Sequence, residues 1–213
     1  MRTLLLTGFE PFDQDSVNPS WEAVRQLNGV QLDDDVRIVA HRLPCAFATA
    51  GECLSRLIDD LHPAMVIATG LGPGRSDISF ERVAININDA RIPDNLGEQP
   101  IDTAVVTDGP AAYFTTLPIK AMVKAVREAG VAASVSQTAG TFVCNQVFYL
   151  LQHALAGTSV RSGFIHVPLL PEQVTGAERP SMELHTLVAG LQAAVLAAWH
   201  TAVDAKEAGG QVS

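Results

Sequence analysis

Short apolar segments alternate along this chain with longer amphipathic ones, and this alternation constrains the fold more than any other feature. Segments 3–7, 36–42 and 64–69 have the length and composition of buried strands, whereas 19–27 and 46–61 carry apolar residues at helical spacing. Strands separated by helices form βαβ units, with parallel strands and helices on both faces of the sheet. We therefore predict one α/β domain over the whole chain, with a twisted, mostly parallel sheet between two helical layers (an α/β/α sandwich) and no linker.

The second half of the chain continues this alternation after a turn-rich middle. A glycine-rich loop at 70–74 precedes an alternating, strand-like run at 81–87 and a long excursion rich in turns. Helices are predicted at 117–129 and 144–155, strands at 132–135 and 163–167, and a long last helix from about Ser181. The single domain spans 1–213, and its polar tail, about 206–213, is expected to be frayed.

Charge and cysteine content restrict the partners and the compartment. Lys and Arg total 14 against 23 Asp and Glu, and the resulting net charge of -9 disfavours nucleic acid and anionic membrane surfaces as partners. The three cysteines include no CxxC pair, so we expect no disulfide framework, no thiolate metal site and a reducing compartment. Neither the apolar start of the chain nor the Ala-rich stretch 186–203 resembles a signal peptide or a membrane helix.

Cys144 is the first candidate for chemistry. A strand and a glycine turn precede it and an amphipathic run follows it, which predicts a place in the first turn of a helix. Free backbone N–H groups and the positive end of the helix dipole favour a thiolate there, and the same N–H groups can receive an oxyanion. A buried structural cysteine is the alternative, and position alone does not decide between them.

His166 is the favoured candidate for a general base. It ends an apolar strand, which predicts a place at the carboxyl edge of the parallel sheet, where ligands bind. His41, inside or just after an earlier strand, is its rival. Glu81 begins the strand-like run after the glycine loop, and its carboxylate is either solvated or faces the same edge as His166.

Two further features are ambiguous by themselves. Arg91, in a turn-rich segment, is either half of a surface ion pair or a donor to developing negative charge. The glycine loop at 70–74 suggests a phosphate cradle, but its third glycine is wrongly spaced, no Lys-Ser or Lys-Thr follows, and a strand comes next. A phosphate cradle is therefore disfavoured.

Four blocks of residues, in order along nearly the whole chain, resemble the pyroglutamyl peptidase I family, the pyrrolidone-carboxylate peptidases. The blocks are Thr7-Gly8-Phe9-Glu10-Pro11-Phe12 with Asn18-Pro19, Glu81-Arg82-Val83-Ala84-Ile85-Asn86 with Ala90-Arg91-Ile92-Pro93-Asp94-Asn95, Gly140-Thr141-Phe142-Val143-Cys144-Asn145, and Phe164-Ile165-His166-Val167-Pro168. The resemblance implies a cytoplasmic cysteine peptidase with one α/β/α domain that forms a homo-oligomer, a dimer or a tetramer. It also implies removal of an N-terminal pyroglutamyl residue from peptides through a thioester acyl-enzyme, without metal or organic cofactor.

The resemblance assigns roles to individual residues as well. It implies Cys144 as the nucleophile, His166 as the base and Glu81 as the carboxylate that orients the base. Substrate-binding roles are implied for residues that line or brace the ring pocket, with Arg91 beside the oxyanion site: Phe9, Phe12, Asn18, Leu71, Arg91, Ile92, Phe142 and Val143.

The sequence departs from the family pattern at three places. Many members have Gly-Gly where this chain has Asp13-Gln14, a Gln where it has Leu71 in the substrate loop, and a His where it has Gln146. These changes leave the predicted catalytic residues in place. Leu71 is the departure nearest the expected substrate, so we expect weaker substrate binding with unchanged chemistry.

Two other functions are compatible with the sequence. One is a phosphorylase-like α/β enzyme that uses the glycine loop for phosphate, which phosphate-dependent cleavage of a nucleoside would reveal. The other is a family relative that binds pyroglutamyl peptides without turnover, which calorimetric binding without released product would support. Separately, the apolar face of the last helix, from Leu184 through Val195 to Trp199, is larger than one sheet contact requires and predicts burial between subunits.

Overall fold

The computed structural model describes residues 1–174 and 179–210, along which nine strands and five helices alternate. The strands are β1 (Arg2–Phe9), β2 (Gln31–Asp33), β3 (Val36–Leu43), β4 (Met65–Leu71), β5 (Ile78–Glu81), β6 (Val83–Ile85), β7 (Ala112–Phe114), β8 (Ala133–Ser136) and β9 (Arg161–Val167). The helices are α1 (Pro19–Val24), α2 (Phe47–Leu61), α3 (Ile119–Glu128), α4 (Val143–Ala154) and α5 (Leu184–His200), with 3-10 turns at Arg25–Leu27 and Pro171–Gln173.

Seven of the strands form one mixed sheet in the order β2-β3-β1-β4-β9-β5-β8. The four central strands β3, β1, β4 and β9 are parallel, β2 is antiparallel to β3, and β5 is antiparallel to β9. Residues 72–77, which join β4 to β5, are too few for a helical crossover, so the chain returns in the opposite direction. The predicted α/β fold with a mostly parallel sheet is confirmed.

Side chains alternate between two cores, one on each face of the sheet. Leu4 and Leu6 of β1 belong to a core formed with α1, α3 and α5, whereas Leu5 belongs to a core formed with α2 and α4. Val66 of β4 and Phe164 of β9 lie in this second core. Because alternate residues of a strand face opposite sides, His166 faces the same side as Phe164, which is the side that α4 covers.

The strand-like run predicted at 81–87 is two elements. Glu81 ends β5 rather than beginning a strand, and the chain then leaves the main sheet at Arg82. The backbone N–H of Arg82 donates to Ser136 at 3.0 Å, while its carbonyl accepts from the Thr115 N–H at 3.0 Å. Arg82 therefore bonds to the edge of the main sheet on one side and to the segment after β7 on the other. The prediction was wrong because alternation of apolar residues continues across this change of sheet.

The last helix begins at Leu184 rather than near Ser181, and part of its apolar face is covered within the chain. Leu187, Leu191 and Val195 are fully buried in the first core, where α5 packs on α3 and α1. The indole N–H of Trp199 donates to Asp33 Oδ2 at 2.6 Å. Leu184, Val188 and Trp199 are only partly buried, so burial of part of this face between subunits stays a prediction.

The end of the chain is described as far as Gly210. The Glu207 carbonyl accepts a hydrogen bond from Lys120 Nζ, and the Gly209 carbonyl accepts from Arg82 Nη2 at 3.4 Å and from Gln137 Nε2 at 3.4 Å. The rest of the tail predicted to be frayed lies outside the described residues. None of the described helices is both long and apolar enough to cross a membrane.

Candidate active site

The carboxyl ends of β1, β3, β4 and β9 meet at one edge of the sheet, and a cavity of about 390 Å³ lies there. Cys144 and His166 both line this cavity. Because each parallel strand ends at the same edge, residues that are distant in the sequence come together at this place. The cavity is therefore the candidate active site.

Cys144 lies in the first turn of α4, one residue after the helix begins at Val143. Phe142, the residue before the helix begins, has an extended backbone, so the chain turns sharply into the helix two residues before the thiol. Gly70 at the end of β4 makes room for the sulfur, since a Cβ there would lie 2.7 Å from Cys144 Sγ. The helix, the turn and this glycine together fix the position of the thiol.

Burial raises the pKa of the Cys144 thiol well above its ordinary value, and the nearby Cys45 and Glu81 add to the shift, while a hydrogen bond from its own backbone N–H acts in the opposite direction. The helix start alone predicted a lowered pKa. In the structure, desolvation and the nearby carboxylate oppose that lowering. Activation of this thiol therefore requires a group that accepts its proton.

His166 and Glu81 form a buried pair beside the thiol. His166 Nδ1 lies 2.7 Å from Glu81 Oε1, and the Glu81 side chain is fully buried. With Nδ1 engaged by the carboxylate, Nε2 is the ring nitrogen that can accept a proton. Of the two placements left open for Glu81, the solvated one is excluded.

The reversed direction of β5 brings Glu81 to His166. In the antiparallel pairing with β9, Ser79 lies opposite His166 and Phe80 opposite Ile165. Glu81 is two residues beyond Ser79 and on the same face, so it reaches His166 diagonally. The rival base His41 lies on β3, is exposed to solvent and does not line the cavity.

Seven of the eight residues expected to bind substrate line the cavity: Phe9, Phe12, Asn18, Leu71, Arg91, Ile92 and Phe142. The rings of Phe12 and Phe142 lie 6.1 Å apart, and Phe47 meets Phe142 edge-on at 5.3 Å. Val143 is the exception, because its fully buried side chain lies in the second core.

Asn18 supports the pocket by joining its two neighbouring segments. Its Oδ1 accepts hydrogen bonds from the Ser20 N–H at 3.1 Å and from the Ser20 hydroxyl at 2.8 Å, which caps α1. Its Nδ2 donates to the Glu10 carbonyl at 3.0 Å. The hydroxyl of Ser20 in turn accepts from the Phe9 N–H at 3.0 Å. One amide therefore fixes the end of β1, which carries Phe9, against the first helix.

The loop that carries Arg91 and Ile92 is tied to the segment before α4. The Asp89 N–H donates to the Thr141 carbonyl at 3.0 Å, and the Thr141 hydroxyl donates to the Asp89 carbonyl at 2.7 Å. Arg91 itself is exposed at the mouth of the cavity. The geometry therefore leaves its guanidinium accessible from the cavity.

Sequence reasoning missed three charged or nucleophilic residues that line the cavity, Cys45, Arg75 and Asp89. Cys45 follows β3, so the argument used for His166, that parallel strands end at one edge, applies to it equally. Arg75 could have been found from the expected burial of Glu81, because a buried carboxylate requires a cationic or hydrogen-bond-donating partner.

The glycine loop is shorter than expected. Gly70 and Leu71 are the last residues of β4, and the N–H of Gly72 donates to the Val167 carbonyl at 2.9 Å. The Gly72 N–H is thus already occupied by the protein. Within residues 1–174 and 179–210, no three His, Cys, Asp or Glu side chains are grouped so that they could hold a metal ion.

Comparison with known proteins identifies the family. A sequence model described as pyroglutamyl peptidase matches residues 2–201. The pyrrolidone-carboxylate peptidase of Pseudomonas fluorescens is 87% identical over 213 residues, with complete coverage of both chains, and that of Cupriavidus taiwanensis is 60% identical over 216 residues, again with complete coverage.

Solved structures agree with the sequence comparisons. The pyroglutamyl peptidase I of Bacillus amyloliquefaciens superimposes with a TM-score of 0.94 at 42% identity, covering 97% of this chain and 99% of its own. The pyrrolidone carboxyl peptidase of Thermococcus litoralis gives a TM-score of 0.89 at 39% identity, covering 93% of this chain and 94% of its own. The chain therefore belongs to the pyroglutamyl peptidase family.

Proposed function

We propose that Cys144, His166 and Glu81 carry out the hydrolysis by which the chain removes an N-terminal pyroglutamyl residue from peptides. The observation that supports this assignment is the buried His166–Glu81 contact, 2.7 Å from Nδ1 to Oε1, in the cavity that also holds the Cys144 thiol. A nucleophile, a base and a group that orients the base are the parts that covalent catalysis requires.

The reaction begins with attack of the Cys144 sulfur on the carbonyl that links the lactam ring to the next residue. His166 Nε2 takes the thiol proton and returns it to the leaving amine as the carbon–nitrogen bond breaks. The acyl group remains on sulfur as a thioester. Water, deprotonated by His166, then releases free pyroglutamate and restores the thiol.

The oxyanion of each tetrahedral intermediate lies at the start of α4. The backbone N–H of Cys144 is one proposed donor, and the Arg91 side chain at the mouth of the cavity is the other. Removal of one such donor typically lowers kcat by about two to three orders of magnitude. The helix dipole adds to this stabilisation because its positive end faces the same region.

Selectivity for a lactam follows from the apolar wall of the cavity. Phe9, Phe12, Ile92 and Phe142 line it, and an ordinary N-terminus would bring a charged ammonium against them. Burying that charge without a partner costs several kcal/mol, which is roughly a thousandfold or more in binding. The neutral, flat pyroglutamyl ring avoids this cost.

The proposal is tested with a fluorogenic pyroglutamyl amide and four single variants. Cys144→Ser should abolish turnover, and His166→Ala should lose nearly as much, whereas Glu81→Gln should keep a small residual kcat because the base itself remains. Cys53→Ser removes a thiol of α2 that does not line the cavity and serves as the matched control, with turnover unchanged. Sustained turnover by Cys144→Ser would exclude the proposed nucleophile, and an unaffected Glu81→Gln would exclude the proposed orienting role.

Location and assembly complete the proposal. All three cysteines are free in the structure, which supports a cytoplasmic location, where thiols stay reduced. The functional form is a homo-oligomer, a dimer or a tetramer, whose other partners are peptides with an N-terminal pyroglutamate. Exposed apolar residues that support such an assembly, Leu96, Ile101 and Phe114, lie on the excursion between β6 and α3.

A further inference from the structure

We infer that Arg75 is a positioning residue of the active site, which holds the Glu81 carboxylate and through it the ring of His166. The inference rests on the catalytic roles proposed above for Glu81 and His166. Arg75 lies in the connection from β4 to β5, lines the cavity, and has a side chain that is 30% exposed.

The first observation is a shared oxygen. Arg75 Nη2 donates to Glu81 Oε1 at 3.1 Å, and this is the same oxygen that lies 2.7 Å from His166 Nδ1. The other carboxylate oxygen, Oε2, is buried without a hydrogen-bond partner among the described residues. In that part of the chain, Arg75 is the one Lys or Arg within 4.0 Å of the carboxylate. Its charge therefore offsets the cost of burying the negative charge of Glu81.

The second observation is that the guanidinium bridges two segments of the site. Arg75 Nη2 also donates to the Thr138 carbonyl at 3.0 Å, and Nη1 lies 3.5 Å from the Ser79 hydroxyl. Thr138 belongs to the loop that leads from β8 into α4 and so to Cys144. A planar guanidinium with several donors can hold both segments at fixed angles, which one ammonium group does less well.

The third observation is steric. A Cβ at Gly72 would lie 2.7 Å from Arg75 Cγ and 3.2 Å from His166 Cβ. The bare backbone of Gly72 therefore lies between the stem of Arg75 and the base of His166. Both side chains therefore pack closely on Gly72, and a larger residue there would displace one of them.

These contacts separate a positioning role from a substrate-binding one. The nitrogens of Arg75 are directed at Glu81, Ser79 and Thr138, and its charge is balanced by Glu81. An arginine that bound substrate directly would act independently of Glu81. An arginine that acts through Glu81 should lose its effect once that carboxylate is gone, which a double-mutant cycle measures.

The experiment measures kcat and KM of Arg75→Met and Arg75→Lys in the parent and in the Glu81→Gln background. In the parent, Arg75→Met should lower kcat by about ten- to a hundredfold, as expected for a hydrogen bond to a charged group, with KM changed less than about twofold. Arg75→Lys should recover a large part of kcat. In the Glu81→Gln background, Arg75→Met should cost less than about twofold in kcat.

Arg82→Met is the matched control, because Arg82 follows Glu81 directly but donates to Gln137 and Gly209 instead. It should keep the parent kcat, which separates loss of a specific contact from loss of a nearby charge. Melting temperatures check folding, and if Arg75→Met does not fold, Arg75→Gln carries the same comparison. An undiminished loss in the Glu81→Gln background, or a change confined to KM, would overturn the inference. A silent Glu81→Gln by itself would instead overturn the proposed triad.

Discussion

The Cys45 thiol lines the cavity, yet its surroundings keep it uncharged. Burial raises the pKa of Cys45 to about 12, and the nearby charges of Glu10 and Asp94 add to the shift. Its backbone N–H donates to Glu10 Oε1 at 3.0 Å, which fixes the residue beside that carboxylate. Cys45 is therefore a neutral part of the cavity wall near neutral pH, and Cys45→Ser should leave the thiol-dependent reaction intact.

This raised pKa makes a prediction about stability at alkaline pH. In the unfolded chain the thiol ionises near its ordinary value of 9.0, whereas in the folded chain it stays protonated up to about 12. Between these values the folded state binds more protons, so the free energy of unfolding falls as pH rises, by at most about 1.4 kcal/mol per pH unit for one thiol. Cys45→Ser should show a shallower fall between pH 9 and 11 than the parent does, measured by urea unfolding.

Cys53→Ser is the comparison for that measurement. The pKa of Cys53 is also raised by burial, but this side chain is only partly buried and the Arg56 charge opposes the shift. Its removal should change the alkaline slope less than removal of Cys45. Equal slopes for the parent and Cys45→Ser would show that Cys45 ionises similarly in both states.

Leu71 is the departure from the family pattern that lies in the cavity itself. It is the last residue of β4 and is buried, so its side chain offers apolar contact where many relatives offer an amide. A lost neutral hydrogen bond to the lactam costs roughly 0.5–1.5 kcal/mol, a few-fold to about tenfold in affinity. Leu71→Gln should therefore lower KM by that factor with kcat nearly unchanged, in steady-state assays on the pyroglutamyl amide.

The opposite pattern would assign Leu71 a different role. A large rise in kcat with Leu71→Gln would mean that this position orients the catalytic groups rather than the substrate. An inactive parent that the substitution rescues would favour the pyroglutamyl-binding relative over the enzyme. Leu71→Ile, which keeps the side chain apolar, is the control for a change of shape alone.

Individual site residues could be predicted from the sequence where their position follows from the end of a strand or the start of a helix. The places of Cys144 and His166 follow from periodicity, because a helix start and a parallel strand end are local properties. Val143 was expected to line the cavity, but its side chain lies in the second core. Neighbouring residues at the start of a helix point in different directions, so Phe142 and Cys144 line the cavity and Val143 does not. Arg75 was missed because its role depends on Glu81, and no local pattern joins these two residues.

At the scale of elements, Asn145 joins helix α4 to β6 and to the segment that follows it. Its Oδ1 accepts from the Ile85 N–H at 3.0 Å, and its Nδ2 donates to the Ile85 and Ile87 carbonyls at 2.9 Å and 3.0 Å. Asn145→Ala removes three partly buried hydrogen bonds, each worth roughly 1 kcal/mol, and should destabilise the protein by about 3 kcal/mol. For a chain of this length the melting temperature should fall by roughly 6–12 °C.

Gln146, the next residue on the same helix, provides the control for Asn145. It is buried as well, but its Oε1 has no hydrogen-bond partner among the described residues. Replacing an unpaired polar group by an apolar one of similar size costs little, so Gln146→Leu should keep or raise the melting temperature. If both variants lost the same stability, crowding of α4 rather than the Asn145 bonds would be responsible.

Elements were predictable where the apolar period was continuous and ended at a proline or a glycine. Helix α2 and strand β4 are close to their predicted ranges for this reason. The reversal of β5 and the switch to β6 at Arg82 were not predictable, because strand direction is set by connection length and by partners far away in the sequence. For α5, periodicity identified the apolar face but not how much of it the chain's own helices cover.

At the scale of the whole molecule, the apolar surface left exposed lies mainly on one excursion. Leu96 and Ile101 of the connection from β6 to β7 are 61% and 70% exposed, and Phe114 of β7 is 70% exposed. Contacts such as the Asn88–Thr103 bridge keep this excursion ordered. Large apolar side chains held exposed on an ordered surface are typical of interfaces. We therefore expect this excursion to contact a second copy of the chain.

Light scattering combined with size-exclusion chromatography tests that expectation. The parent should be a dimer or a tetramer at micromolar concentration, and Phe114→Ser should shift it toward smaller species, because burial of one aromatic side chain contributes roughly 1.5–3 kcal/mol. Val203→Ser is the matched control, since Val203 is 81% exposed but follows α5 and is not part of the excursion. A parent that is strictly monomeric at this concentration would contradict the homo-oligomer, whereas a shift with Val203→Ser and none with Phe114→Ser would move the interface to the end of the chain.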